Sequence, residues 1–152
     1  MVRISLDSNI LIYAEGTDDL AKRDIVIALI SRVGPENLLL TMQAAGETLR
    51  WLMGRGKLDP RLAVQKMQKW FAQSTSLPMT VECFHTACSI IEKHSFQLWD
   101  AAILAASAEA NANILMSEDM QHGFVWQGVT IVNPFKLSNE ELQSLFPQNT
   151  FH

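Results

Sequence analysis

Near its start the chain carries Val2-Arg3-Ile4-Ser5-Leu6, followed directly by Asp7-Ser8-Asn9. Apolar and polar residues alternate in the first of these segments, as in a short β-strand, whereas Asp-Ser-Asn is typical of a turn. An apolar run at residues 10–14 comes next. The pattern therefore predicts a strand that ends at Leu6 and places Asp7 at the edge of a sheet.

Short apolar runs and helical patterns alternate along the rest of the chain. Strands are predicted at 38–40, 113–117 and 129–132. Helices are predicted at 18–33, 41–53, 81–93 and 96–110. Two more helices are predicted to begin at Asp59-Pro60 and at Ser138. Thr17 or Asp18 is expected to cap the first of these helices. The alternation predicts an α/β fold with a mainly parallel sheet and helices on both faces. We expect one domain over 1–152, with a core at about 2–135 and a helical tail at about 138–147.

The composition is that of an ordinary globular domain. The 152 residues are 48% hydrophobic and 18% charged, which excludes a disordered chain. Cys83 and Cys88 lack the spacing of a disulfide framework or a zinc finger, and they suit a reducing cytoplasm. No apolar run is long enough for a membrane span, and we expect no signal peptide. The net charge of −4 excludes nucleic-acid binding through bulk positive charge, although it permits a local basic surface.

Two acidic residues follow predicted strands that are far apart in the sequence. Asp7 comes directly after the first strand, and Asp119 follows the strand at 113–117. In an open α/β sheet, ligands bind at the carboxyl ends of the strands. We therefore expect Asp7 and Asp119 to face one crevice.

Two further acids extend this set. Asp100 lies in the first turn of an alanine-rich helix, and Glu47 shares a helix face with Gln43 and Arg50. Taken singly, each acid has an ordinary explanation, such as helix capping by Asp7 or a favourable interaction of Asp100 with the helix dipole. Together, the carboxylates cannot all stay ionised without positive charge, and Mg²⁺ or Mn²⁺ is the natural counter-ion. Such a site favours phosphodiester hydrolysis by a metal-activated water.

The ordered set of these segments resembles the PIN-domain nucleases, in particular the small VapC-like toxins. The resemblance runs over residues 2–135 and rests on Asp7-Ser8-Asn9, Glu47, Trp99-Asp100-Ala101-Ala102 and Ser117-Glu118-Asp119. It implies a Rossmann-like PIN fold, a three-layer α/β/α sandwich, with Mg²⁺- or Mn²⁺-dependent cleavage of RNA. It also implies a homodimer and a small antitoxin that blocks the acidic crevice.

The same resemblance assigns roles to individual residues. The catalytic acids are Asp7, Glu47, Asp100 and Asp119, of which Asp7, Asp100 and Asp119 are expected to bind metal. Our hypothesis is that Asp7 and Asp100 bind the principal ion, while Glu47 and Asp119 complete the cluster and help to activate water. The hydroxyls of Ser8 and Ser117 orient water or the acids, and Glu118 has a supporting role.

Six of the 12 basic residues fall between positions 50 and 69, and Arg50, Arg55 and Lys57 are the candidates for RNA binding. The alternative is that they form the solvated faces of two amphipathic helices. We expect Trp51, Trp70, Phe71 and Trp99 to pack in the core or a dimer contact, and leave only Trp126 open as a base-stacking residue.

Two other functions remain open. An aspartate-based phosphatase would need a second aspartate two residues after Asp7, where this chain has Asn9. A non-catalytic binding module with the same fold is the second alternative, because correct ligands do not prove turnover.

Overall fold

The computed structural model describes residues 1–16 and 19–146 as a three-layer α/β/α sandwich. The strands are β1 (Ile4–Leu6), β2 (Leu38–Thr41), β3 (Thr75–Leu77), β4 (Ile114–Met116), β5 (Val125–Trp126) and β6 (Val129–Val132). The α-helices are α1 (Ser8–Ala14), α2 (Leu20–Ile30), α3 (Met42–Met53), α4 (Pro60–Ala72), α5 (Val81–His94), α6 (Leu98–Glu109) and α7 (Asn139–Leu145). A 3₁₀ helix spans Pro134–Lys136.

The sheet has the strand order β3-β2-β1-β4-β6-β5, and all neighbours are parallel except the β5–β6 pair. From β1 the chain proceeds to β2 on one side, and later returns to β4 on the other. The carboxyl end of β1 is therefore a topological switch point, where α/β sheets form a ligand crevice. The mainly parallel sheet predicted from the sequence is confirmed.

The predicted helices are present, with shifted ends. The helix predicted at 18–33 runs over Leu20–Ile30 and is capped by Asp19, whose side chain accepts a hydrogen bond from the Lys22 N–H. The proposed caps Thr17 and Asp18 lie outside the described residues, as does the last position of the predicted tail. Within that tail, Ser138 and Glu141 form the capping box that begins α7.

Helix α6 runs through the core and positions one of the candidate acids. All seven residues from Ala101 to Ser107 are buried, and the Ser107 and Ser5 hydroxyls form a buried 2.6 Å hydrogen bond between α6 and β1. Because α6 leads back to the start of the parallel strand β4, its first turn lies at the carboxyl edge of the sheet. Asp100 is in that first turn. Among the described residues, α6 and the other helices are too short or too polar to cross a membrane.

The aromatic residues depart from the sequence prediction. Trp70 is buried and Trp51 packs against the core, as expected. Phe71 and Trp99 are exposed by 38% and 49%, so these two do not pack in the core, and the alternative of a dimer contact stays a prediction. Helical spacing alone does not indicate which face of a helix is covered. In α6 the buried stripe begins only at Ala101, after Trp99.

Candidate active site

Adjacent strands bring Asp7 and Ser117 together. In the β1–β4 register Leu6 pairs with Met116, so the next residue of each strand extends past the same sheet edge. The Asp7 N–H donates to the Met116 carbonyl at 2.9 Å, and the Ser117 hydroxyl donates to Asp7 Oδ2 at 2.8 Å. Asp7 also caps α1, because its Oδ1 accepts the Ser8 N–H at 2.7 Å. The Asp7 carboxylate is thereby fixed in place.

Burial dominates the electrostatics of this carboxylate. Asp7 is only 3% exposed, and loss of solvation raises its pKa from 3.8 to about 6. The hydrogen bonds from Ser117 and Ser8 lower the pKa and offset part of the increase, whereas the negative charges of Asp100 and Glu47 raise it. Asp7 therefore lies within electrostatic range of two other acids.

Asp100 belongs to the same neighbourhood. Burial raises its pKa, and so do the negative charges of Glu47 and Asp119. The structure thus brings Asp7, Glu47, Asp100 and Asp119 to one edge of the sheet, with Asp7 the most buried and Asp119 exposed.

Glu47 is held by two donors. Its Oε2 accepts the Ser8 hydroxyl at 2.7 Å, and its Oε1 accepts the Gln43 amide at 2.8 Å. Gln43 lies one turn before Glu47 on α3, which is the helical spacing at which such pairs meet. Sequence reasoning placed Gln43 on this face but gave it no role in the site.

Asn9 is a site residue that sequence reasoning missed. Its side-chain amide donates to Asp7 Oδ2 at 3.2 Å and to Asp119 Oδ2 at 3.1 Å, and its carbonyl oxygen accepts the Glu118 N–H at 3.2 Å. Asn9 therefore links the segments that follow β1 and β4. The available indication was its position in the Asp-Ser-Asn segment, which contributed to the family resemblance and to the argument against a phosphatase but did not give Asn9 a role in the site.

Glu118 pairs with Lys22. The Lys22 ammonium lies 2.8 Å from Glu118 Oε1 and 3.3 Å from the Tyr13 hydroxyl. It also lies over the rings of Tyr13 and Phe135, at 5.1 and 5.0 Å from their centroids. The Glu118 side chain therefore ties the loop after β4 to α2.

The candidate RNA-binding residues Arg50, Arg55 and Lys57 are exposed. Arg50 lies in the last turn of α3, and Arg55 and Lys57 lie just beyond the end of that helix. At 1.5 Å per residue, that end is roughly 10 Å along the helix axis from Glu47. Arg50, three residues after Glu47, is only about 4.5 Å from it along the same axis.

Within residues 1–16 and 19–146, the four acids form no ion pair with lysine or arginine. The cations that do pair bind Glu118, Asp24 and Glu15. No three acidic, histidine or cysteine side chains in this part of the chain form a ready-made ligand group. Mg²⁺, however, keeps several waters and needs only one or two protein carboxylates. In this part of the chain, carboxylates that accept hydrogen bonds but pair with no lysine or arginine therefore fit a hard divalent cation.

Comparison with known proteins identifies the family. The family model described as PIN domain matches residues 4–123. Among solved structures, the chain resembles VapC20 of Mycobacterium tuberculosis, a sarcin-ricin loop cleaving toxin, with a TM-score of 0.64 at 17% identity, covering 76% of this chain and 91% of that one.

Two further structures have the same fold. A toxin–antitoxin complex from Klebsiella pneumoniae gives a TM-score of 0.66 at 15% identity, covering 88% of this chain and 99% of the other. FitAcB from Neisseria gonorrhoeae gives a TM-score of 0.63 at 17% identity, and the alignment again covers 88% of this chain and 99% of the other. No curated protein sequence matches the chain. The match to the family model spans most of the chain and agrees with the observed fold, so this chain belongs to the PIN domain family.

Proposed function

We propose that the protein is a metal-dependent endoribonuclease whose catalytic acids are Asp7, Glu47, Asp100 and Asp119. The main support is the position of the buried Asp7 carboxylate, which shares the switch point of the sheet with three other acids. A buried carboxylate among other negative charges is costly unless a cation or a set of donors compensates it. Such an arrangement is characteristic of a functional site.

Asp7, Asp100 and Asp119 are the proposed ligands of Mg²⁺ or Mn²⁺, of which one or two would bind the ion directly. When bound, the ion lowers the pKa of a coordinated water and stabilises the charge that develops on the phosphodiester. The Ser117 hydroxyl and the Asn9 amide hold the Asp7 carboxylate at a defined angle before any ligand arrives. This preorganisation reduces the rearrangement that binding would otherwise require.

Glu47 is the proposed acceptor of a proton from the attacking water. It is partly exposed, and Ser8 and Gln43 each donate to one of its oxygens. A carboxylate oxygen retains a second lone pair after accepting one hydrogen bond, so Glu47 can still accept from water. Asp119 is exposed, and we propose that it completes the cluster from the solvent side.

Three observations favour RNA as the substrate. The acids cannot bind a free anion by themselves, whereas a phosphodiester can share their cation. The exposed Arg50, Arg55 and Lys57 lie beside the site and can contact further phosphates of a nucleic-acid strand. One similar structure is a toxin that cleaves the sarcin-ricin loop.

The similar structures also support a regulatory partner. Several are complexes of a toxin with its antitoxin, and some contain DNA. We propose that this protein is the toxin of such a pair, that it forms a homodimer, and that a small antitoxin covers the acidic crevice.

The test is cleavage of a mixed single-stranded and structured RNA pool by the purified protein in Mg²⁺, Mn²⁺ or EDTA. Asp7→Asn and Asp100→Asn remove a carboxylate charge from the site. Asp24→Asn is the matched control, because the Asp24 side chain is 73% exposed and its one ion pair in the described part of the chain, with Arg23, is long at 3.7 Å.

We expect cleavage by the parent and by Asp24→Asn with either ion, none in EDTA, and none by the two site variants. Folding of each variant is checked by circular dichroism. Cleavage by Asp7→Asn at the parental rate would refute the proposed site. Binding of Mn²⁺ without cleavage of any RNA would instead favour the non-catalytic alternative.

A further inference from the structure

Trp99 is a large apolar side chain at the edge of the candidate site. It is 49% exposed and immediately precedes Asp100 in the first turn of α6. Among the described residues its indole forms no hydrogen bond and no aromatic pair. About half of the Trp99 surface is thus open to solvent, and its N–H has no partner in the described part of the chain, so the ring is accessible to a ligand.

Trp126 has the opposite environment. It is half-buried, and its ring lies 5.6 Å from that of His94, which also stacks edge-on against Phe124 at 5.2 Å. Its indole nitrogen is buried. Trp126, the one tryptophan left open as a base-stacking residue by the sequence, therefore belongs to a packed aromatic cluster, and the free ring beside the acids is that of Trp99.

The helix geometry defines where the Trp99 ring can act. The Cα atoms of Trp99 and Asp100 are about 3.8 Å apart, and consecutive side chains of a helix diverge by about 100°. The Trp99 side chain therefore leaves the helix next to that of Asp100 but in a different direction, and it does not cover the carboxylate. A phosphodiester held at Asp100 would place the base of an adjacent nucleotide next to the indole, whose flat face is suited to stacking.

We propose that Trp99 is a stacking platform for a nucleobase that flanks the phosphodiester cleaved at Asp100. This inference rests on the proposed ribonuclease function and adds a residue that recognises an unpaired base. The stacking implies that the substrate is single-stranded or flipped out at this position, because a paired base does not expose its face. It also implies little sequence preference at that position, since every base has a π-face.

The test measures binding of labelled oligoribonucleotides of about 12 nucleotides by fluorescence anisotropy, with Ca²⁺ in place of Mg²⁺. One probe has a mixed single-stranded sequence, and a second has the same sugar-phosphate backbone without bases. The variants are Trp99→Ala and Trp99→Phe. Phe71→Ala is the control, because Phe71 is also exposed but lies at the end of α4 that leads into β3, at the opposite edge of the sheet.

We expect Trp99→Ala to weaken binding of the base-containing probe by about 5-fold to 150-fold. Trp99→Phe should weaken binding of that probe by a smaller factor, and neither variant should change binding of the abasic probe. The dependence of affinity on salt should stay parental, because stacking releases no counterions. Phe71→Ala should bind both probes like the parent.

Equal losses on both probes, or no loss on either, would overturn the inference while leaving the ribonuclease proposal intact if the parent binds and cleaves RNA. A change in sedimentation of Trp99→Ala with parental RNA affinity would assign the ring to a contact between copies of the chain, which also overturns it. Failure of the parent to bind any RNA probe would overturn the inference together with the proposed function.

Discussion

The Ser117 hydroxyl donates a 2.8 Å hydrogen bond to the Asp7 carboxylate, although 110 residues separate the two in sequence. Ser117 is completely buried, and its oxygen also accepts the N–H groups of Asp119 and Met120 at 3.2 and 3.1 Å. One hydroxyl thus orients the buried acid and shapes the turn that carries another acid. The contact depends on the parallel register of β1 and β4, which places both residues one step beyond paired strand positions.

Replacing this hydroxyl should damage both stability and activity. Ser117→Ala leaves two N–H groups without their acceptor and removes a donor from Asp7, so the pKa of Asp7 should rise further. We expect the free energy of unfolding in urea to fall by about 1–3 kcal/mol and the cleavage rate to decrease. Ser31→Ala, which removes an exposed hydroxyl bonded to the Ala28 carbonyl, is the control and should have little effect. Equal stability of the two variants would contradict this role of Ser117.

Replacing the neutral Asn9 amide with a carboxyl group should destabilise the protein. Asn9→Asp replaces a donor shared by Asp7 and Asp119 with a third negative group. The repulsion grows as the new carboxyl ionises. We therefore expect the melting temperature of Asn9→Asp to lie below that of the parent by a larger amount at pH 8 than at pH 5. Asn9→Ala, measured in parallel, separates loss of the bridge from added charge, since its deficit should not depend on pH in this way. A pH-independent deficit in Asn9→Asp would contradict the electrostatic explanation.

Because the pKa of Asp7 is raised, the stability of the folded protein should decrease as pH rises. Because the folded protein binds this proton up to about pH 6 and the unfolded chain only up to about 3.8, Asp7 favours the folded state in acid. Stability should be lost as pH rises from about 4 to 6, by up to about 3 kcal/mol from this group. In EDTA, urea unfolding of Asp7→Asn should show a smaller loss over this range than the parent or Asp24→Asn. Identical pH slopes for the parent and Asp7→Asn would refute the raised pKa.

Much of this arrangement was predictable, because strand ends and helix starts have local signatures. Alternation before Asp7 and the apolar run before Ser117 indicated β1 and β4, and parallel topology then required their ends to meet. The strands β3 and β5 were missed for a physical reason. In β3 two of three residues are exposed, so no hydrophobic pattern distinguishes it. β5 has only two residues, so its sequence resembles that of a loop. It turns into β6 through Gln127 and Gly128, both at positive φ.

Side-chain partners within the site were less predictable, because they depend on distances between segments. The sequence indicated that Asp7 and Asp119 share an edge, but it did not indicate that Asn9 connects them. Likewise, the adjacent acids Glu118 and Asp119 have different partners that the sequence does not indicate. Lys22 of α2 lies 2.8 Å from Glu118, whereas Asp119 accepts a hydrogen bond from Asn9.

A divalent ion that binds only the folded state should raise the melting temperature. At 100 times the dissociation constant, Mn²⁺ should stabilise the parent by about 2.7 kcal/mol, which corresponds to a rise of about 5–10 °C for a chain of this size. Asp100→Asn should show a much smaller rise in differential scanning fluorimetry, and removal of the ion with EDTA should return the parent to its starting value. A shift of equal size in parent and Asp100→Asn would place the ion elsewhere.

Lys22 should stabilise the site through Glu118. The hydrogen bond to Glu118 raises the pKa of Lys22, so its charge is fully present at neutral pH and the contribution is lost only at strongly alkaline pH. Lys22→Met removes the cation next to Glu118, whose Oε2 is already buried without a hydrogen-bond partner in the described part of the chain. We therefore expect a lower melting temperature and, because the Glu118 N–H binds Asn9, a lower cleavage rate. Lys69→Met, on the exposed last turn of α4, is the control.

The double variant Lys22→Met/Glu118→Gln removes the uncompensated charge as well, so its melting temperature should exceed that of Lys22→Met. Strictly additive effects would mean that the two side chains are not coupled and that the loop after β4 is held by its other contacts.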